Sequence, residues 1–337
     1  MKTLTTPAGS PGARIVAIGE HRPTRIVTNE EICRDIDSTD AWIRERSGII
    51  TRRFAAPDES VVDMATSAAS KALASSGVAP ADVDLVLLAT CTHPYQTPGG
   101  SSEVQDRLGA INAGAMDINA ACAGFAYALS VANDAVRAGS ARHVVVIGSE
   151  KMSDFIDPHD RGMAFLFGDG AGAAIVSASP TTGIGPVVWG SDGSHVMTIT
   201  QEPNYTQIQH ALATGGSLPP AALKMAGQTV FRWAVTKMAP VAQRALDAAG
   251  VSVDELGAFI PHQANLRIVE SLVKTLKLPD SVAIARDMET QGNTSSASIP
   301  LALSALLERG EVESGQPALL IGFGAGLTYA AQVIEIP

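Results

Sequence analysis

The chain has 337 residues, 46% of them hydrophobic and only 17% charged, with 31 glycines, so a disordered or fibrous chain is excluded and a large α/β interior is expected. A net charge of -10, from 24 basic and 34 acidic residues, argues against non-specific binding to nucleic acid or a membrane surface. The three cysteines, Cys33, Cys91 and Cys122, are far apart and show no C-x-x-C spacing, which argues against disulfides or a zinc site and for a reducing, cytoplasmic compartment.

Residues 1–14 contain no apolar run and no stretch of eighteen apolar residues follows, so neither a targeting segment nor a membrane span is expected. Residues 72–90, ALASSGVAPADVDLVLLAT, read as a helix end, a Gly at the C-cap, an acidic turn and an apolar strand. Cys122 then opens a long Ala-rich run that ends at Gly139 and is followed by a strand over 143–148.

The same order returns further along. Residues 245–263, ALDAAGVSVDELGAFIPHQ, align without gaps on 72–90, at a repeat length of about 172 residues. Asn293 opens a run ending at Gly310, followed by a strand over 318–322, and in both runs the Gly lies 17 positions after the opening residue. Two copies of one α/β unit explain this, with halves at 1–180 and 181–337 and a boundary near 180–185. Uninterrupted apolar strands imply sheets buried on both faces, hence layers in the order helix, sheet, helix, sheet, helix. The run 122–137 is apolar nearly all round, as a central helix should be.

Three residues stand out chemically. Cys122, in 117–125 (DINAACAGF), opens a helix whose dipole and unpaired N–H groups favour thiolate; a small buried hydrophobe is the plainer alternative. Cys33 and Cys91 lack that setting and are expected to pack. His262 closes the apolar strand 258–260, where polar residues mark a site at a strand's carboxyl end, unless it is a structural histidine. Asn293, in GNTSS, can be an ordinary N-cap, but the repeat makes it the equivalent of Cys122, so all three converge near the axis relating the halves. Two Gly-rich passages, 168–172 and 322–326, lack the Walker spacing and its Lys. The first is read as a tight strand entry, the second as a source of backbone N–H for an oxyanion.

The passages AACAGFAYAL (120–129), PHQANLRI (261–268) and GNTSSASIPLAL (292–303) resemble the three active-site motifs of β-ketoacyl-acyl-carrier-protein synthase III, and the likeness runs end to end. It implies a thiolase-like five-layered αβαβα fold with two pseudo-symmetric halves. It also implies decarboxylative condensation of an acyl-CoA primer with malonyl-acyl carrier protein. Cys122 would accept the acyl group, and His262 and Asn293 would stabilise the enolate left when the malonyl carboxylate departs. Backbone N–H groups of Cys122 and Ala325 would form the oxyanion hole; position 325 is usually Gly, and the N–H survives the change to Ala.

Further assignments come from the same resemblance. Trp42, Arg46 and Arg161 would hold the adenine end of coenzyme A, while Gly227, Phe231, Ala264 and Asn265 would line the pantetheine tunnel. Arg232, Arg267 and Lys274 would form a basic face for the acidic carrier protein. Thr97 replaces a bulky aromatic at the base of the acyl pocket, which Phe323 also borders, and implies primers longer than acetyl or branched. Since residue 97 reaches the partner's pocket in that family, a homodimer is implied. No metal or cofactor is implied, coenzyme A being carried by the substrate. The alternatives are a starter-unit ketosynthase of a polyketide pathway, an acyltransferase using Cys122, and a silent partner subunit. Intact His262 and Asn293 argue against the second, and Cys122 against the third.

Overall fold

The computed structural model describes residues 4–5 and 7–337. Its first sheet holds β1 (Gly12–His21), β2 (Leu85–Ala89), β3 (Gly114–Ile118), β4 (His143–Glu150) and β5 (Gly170–Ser179), in the order β1-β5-β4-β2-β3. The second holds β6 (Val188–Ser191), β7 (Ala258–Pro261), β8 (Ala283–Ile284), β9 (Pro317–Gly324) and β10 (Thr328–Glu335), in the order β6-β10-β9-β7-β8. Read from β1 and from β6, both sheets pair antiparallel twice and then parallel twice. Because each sheet takes all its strands from one side of residues 180–187, we propose 1–180 and 181–337 as the two halves.

Five layers follow from which faces are apolar. Helices α1 (Asp40–Ser47), α2 (Val61–Ser76), α3 (Gly100–Arg107), α4 (Gly124–Ala138), α5 (Gly227–Ala249), α6 (Leu266–Leu276) and α7 (Ser298–Glu308) supply them. Helices α2 and α3 cover the outer face of the first sheet, and α5 and α6 that of the second. Between the sheets lie α4 and α7, whose Phe125, Leu129, Ile299 and Leu303 share one core with residues of both sheets. Phe125 is wholly buried there, so its truncation to Ala would cost about 3–5 kcal/mol. The Val/Ile run of β4 is buried from Val144 onward, as a strand covered on both faces must be.

One expectation needs correction. The register of the two copies does not pair Cys122 with Asn293. A 3-10 turn, Ala121–Ala123, leads into α4, and its counterpart, Ser295–Ala297, leads into α7. Both turns open on left-handed backbone, at Ala121 (φ 46°) and Ser295 (φ 51°). Cys122 therefore corresponds to Ser296, and Asn293 to Asn119. The equal 17-residue spacings arose because α7 has 11 residues against 15 in α4, so Gly310 comes early.

Candidate active site

The carboxyl ends of the central strands open on one cavity of about 250 Å³. Cys122, His262 and Asn293 all line it, together with Ala264, Phe323 and Ala325. Its remaining wall is mostly apolar, from Met152, Phe155, Phe167, Ile199, Leu223 and Leu327.

Cys122 owes its place to two glycines. A Cβ on Gly322 would lie 3.0 Å from Ala123 Cα, and one on Gly324 only 2.8 Å from Cys122 N. Their absence lets β9 lie directly against the cysteine turn, and Ala325, the residue after Gly324, lines the cavity with Cys122. The mirror contact is made by Gly148 of β4, where a Cβ would come 2.4 Å from Ser296 O. The expected thiolate setting is not what results. Burial pushes the Cys122 thiol up to about 12 and the Glu150 carboxylate adds to the rise, while the Ser295 hydroxyl and a backbone N–H act the other way. The resting group is a thiol, because desolvation outweighs the helix start.

His262 follows β7 and is 2% exposed. Its Nδ1 lies 2.7 Å from Ser298 Oγ, which accepts a hydrogen bond from Gln263 N at 3.3 Å. The tautomer in which the Ser298 hydroxyl gives its proton to Nδ1 leaves Nε2–H as a donor. Burial lowers the imidazole to about 3, so it is neutral at physiological pH, and its ring packs edge-on to Phe323 at 5.2 Å. Asn293 is clipped into the backbone by Asn293 N to Leu166 O (2.8 Å) and Gly168 N to Asn293 O (3.0 Å). Its Oδ1 accepts from Ser295 N at 2.8 Å, which turns the donor side of the amide to the cavity. Two neutral donors beside a thiol suit stabilisation of a developing oxyanion, since neither repels it.

Residues 116–193 match the family described as 3-oxoacyl-[acyl-carrier-protein (ACP)] synthase III, and residues 246–336 match its C-terminal part. Over the full length of both chains it is 51% identical to β-ketoacyl-[acyl-carrier-protein] synthase III 1 of Streptomyces coelicolor. The chain belongs to the 3-oxoacyl-[acyl-carrier-protein] synthase III family. A mycobacterial synthase III of Mycobacterium marinum is 49% identical, with 100% of this chain and 99% of that protein covered. Among solved structures, a priming β-ketosynthase of a polyketide biosynthetic pathway superposes with a TM-score of 0.96 at 48% identity, covering 100% of this chain and 99% of the other. The synthase III of Aquifex aeolicus gives 0.88 at 35%, covering 96% and 100%. The fold is thus thiolase-like.

The residues assigned to coenzyme A through the synthase III resemblance divide into two groups. Ala264 lines the cavity itself. Outside it, Trp42 of α1 carries the Arg161 guanidinium 4.9 Å and the Arg46 guanidinium 5.7 Å from its ring centroid. Asn265 Nδ2 donates to Arg46 O at 3.0 Å and ties this cluster to the start of α6. Phe231, near the start of α5 at Gly227, carries Arg267 at 5.3 Å. Arg232, Arg267 and Lys274 are exposed on α5 and α6. Thr97 lies in an exposed loop and does not line the cavity of its own chain.

Sequence reasoning missed that Cys91, which packs as expected against the small core of Met152, Phe167 and Leu223, also lines the cavity, and it missed Ser298, Glu150 and Asn119. The signal existed for Cys91 and Glu150, each of which ends or follows a buried strand, the criterion that singled out His262. Asn119 follows β3, an edge strand with no buried residue, and so lacked it.

Proposed function

We propose that the chain is a 3-oxoacyl-[acyl-carrier-protein] synthase III that joins an acyl-CoA primer to malonyl-acyl carrier protein through an acyl-Cys122 intermediate. The observation that carries this reading is the shared cavity of Cys122, His262 and Asn293, with a thiol and two neutral donors and no carboxylate base lining it. In the first half-reaction Cys122 sulfur attacks the primer thioester, the Cys122 and Ala325 amides hold the tetrahedral oxyanion, and coenzyme A leaves as its thiol with the cysteine proton. In the second, the C–C bond to the malonyl carboxylate breaks and carbon dioxide leaves. His262 Nε2–H and the Asn293 amide hold the enolate oxygen. The enolate carbon attacks the acyl-Cys122 carbonyl, giving a 3-oxoacyl carrier protein and a cysteine sulfur that regains a proton. A neutral imidazole favours this step because the charge it stabilises exists only after decarboxylation.

Stacking between Trp42 and two arginines that form no ion pair among the described residues supports an adenine and phosphate site there. The pantetheine would pass Gly227, Phe231 and Asn265 to Ala264. Exposed Arg232, Arg267 and Lys274 support docking of an acidic carrier protein on the same face, despite the net acidic chain. The edge strand β3 leaves Met116 42% exposed, with Ile111 and Tyr95 exposed nearby, which supports a homodimer joined along that edge and a Thr97 loop that reaches the partner's pocket. A threonine at that position and the apolar wall favour primers larger than acetyl. No helix among the described residues is long and apolar enough to cross a membrane; the proposed location is the cytoplasm. Service as a priming ketosynthase in a polyketide pathway is the second reading, favoured by the neighbour at TM-score 0.96.

The test is intact-protein mass spectrometry after incubation with acetyl-, isobutyryl- and longer acyl-CoAs, then with malonyl-loaded carrier proteins from fatty-acid and polyketide systems. An adduct on Cys122 that discharges as a 3-oxoacyl carrier protein is expected, and its rate ranks primers and carriers. An adduct that never discharges would refute condensation.

A further inference from the structure

We propose that Glu150 is a positioning residue for the decarboxylation half-reaction, holding the turn that presents Asn293. This rests on the condensing reading above. Glu150 ends β4 and is 0% exposed, a costly place for a carboxylate unless its oxygens are fully bonded. Its Oε2 accepts from Thr90 Oγ1 (3.0 Å), Cys91 N (3.0 Å) and Thr92 Oγ1 (2.6 Å). Its Oε1 accepts from Ser295 Oγ (3.0 Å) and Cys91 Sγ (3.5 Å). Both threonine hydroxyls are themselves acceptors, from Thr92 N (3.2 Å) and Lys151 N (2.9 Å), so their protons point at the carboxylate. The adjacent Lys151 ammonium turns away, to Ala56 O, Pro57 O and Asp154. The carboxylate is therefore satisfied by donors from two segments, 90–92 and 295, rather than by a cation.

Those two segments are cavity wall. Ser295 stands in left-handed backbone (φ 51°), a conformation that a non-glycine residue holds only when its surroundings fix it. The same Ser295 N–H engages Asn293 Oδ1 and so orients the amide. Glu150 thus acts on Asn293 through one residue. The pseudo-symmetry gives the contact its meaning. Glu150 ends β4 as Gly324 ends β9. Gly324 seats its strand against the Cys122 turn by having no side chain, whereas Glu150 reaches the corresponding Ser295 turn with a long one.

The experiment follows two quantities in one preparation: acyl-Cys122 formed from acyl-CoA, by intact mass, and carbon dioxide released from carboxyl-labelled malonyl-acyl carrier protein. The readout is their rate ratio in wild type, E150Q, E150D and S295A. A glutamine keeps the size but presents an NH₂ to a ring of donors. The ratio of release to acylation is expected to fall roughly 10–100-fold in E150Q and S295A, as for loss of sub-ångström positioning, with E150D partly restoring it. A ratio within about threefold of wild type in S295A would overturn the proposal, whether or not E150Q folds. Wild type that neither acylates nor releases carbon dioxide would instead overturn the condensing reading, and this proposal with it.

Discussion

Replacing Gly324 by Ala tests the link between strand packing and the oxyanion hole. Gly324 does not have positive φ, so alanine is allowed by the backbone and the effect isolates close approach. The added Cβ would stand 2.8 Å from Cys122 N and 2.9 Å from Cys122 Cβ, where apolar contacts normally settle near 3.5 Å or beyond. Strand and turn must separate by roughly 0.7 Å, and the clash is with backbone, which cannot swing aside as a side chain would. Overpacking of this kind costs about 1–3 kcal/mol of stability. The same separation pulls the Ala325 amide away from the Cys122 amide, and loss of one oxyanion donor costs roughly 10²–10³ in rate. Rapid-quench intact mass spectrometry of a single acylation turnover reads this directly. Expected is acylation slowed by about two orders of magnitude in a folded protein. Acylation within threefold of wild type would refute the placement of both amides in one hole.

Ser298→Ala removes the proton given to His262 Nδ1 and leaves Gln263 N without an acceptor, so about 1–3 kcal/mol of stability should be lost. Condensation should fall roughly 10–100-fold through a wrong tautomer, while acylation of Cys122 stays near wild type, as separate half-reaction rates will show. Burial holds His262 neutral down to about pH 3, whereas the unfolded imidazole protonates below about 6.5, so its contribution to stability is intact above pH 6.5 and lost as pH falls. Burial lifts Asp169 to about 6 and gives the opposite slope, present in wild type and variant alike. Chemical denaturation at pH 6.5 and 5 should therefore cost wild type about 2 kcal/mol more than His262→Gln, and equal slopes would contradict a neutral buried imidazole. Trp42→Ala should raise KM for acyl-CoA about tenfold, with acylation at saturation unchanged, since stacking on a distant purine is lost equally in ground and transition states.

What was legible in the sequence is what short segments carry by themselves. Strands of unbroken Val, Leu and Ile at 143–148 and 318–322, and an apolar helix after Cys122, can only be buried, and a duplicated order of such elements can only stack in layers. The state of Cys122 was not legible, because a helix start is local whereas desolvation depends on walls brought from Leu223, Ile199 and Phe323. Cys91 and Glu150 could be placed at the ends of buried strands, but their link to each other and to the site was not legible, because Ser295 arrives from the other half. The repeat itself misled by three residues, since a shorter α7 compensated for the shift and made Asn293 look like the partner of Cys122. The corrected register changes the chemistry that the duplication explains. Ser296, the true counterpart of Cys122, spends its hydroxyl on Ala89 O at 2.8 Å, and Asn119, the counterpart of Asn293, also lines the cavity. Each copy therefore brings the same kind of turn to the axis, with an asparagine three residues ahead of a small nucleophile-sized side chain. One copy places its sulfur in the cavity, and the other bonds its hydroxyl to Ala89 O and offers its asparagine to the cavity as the proposed donor.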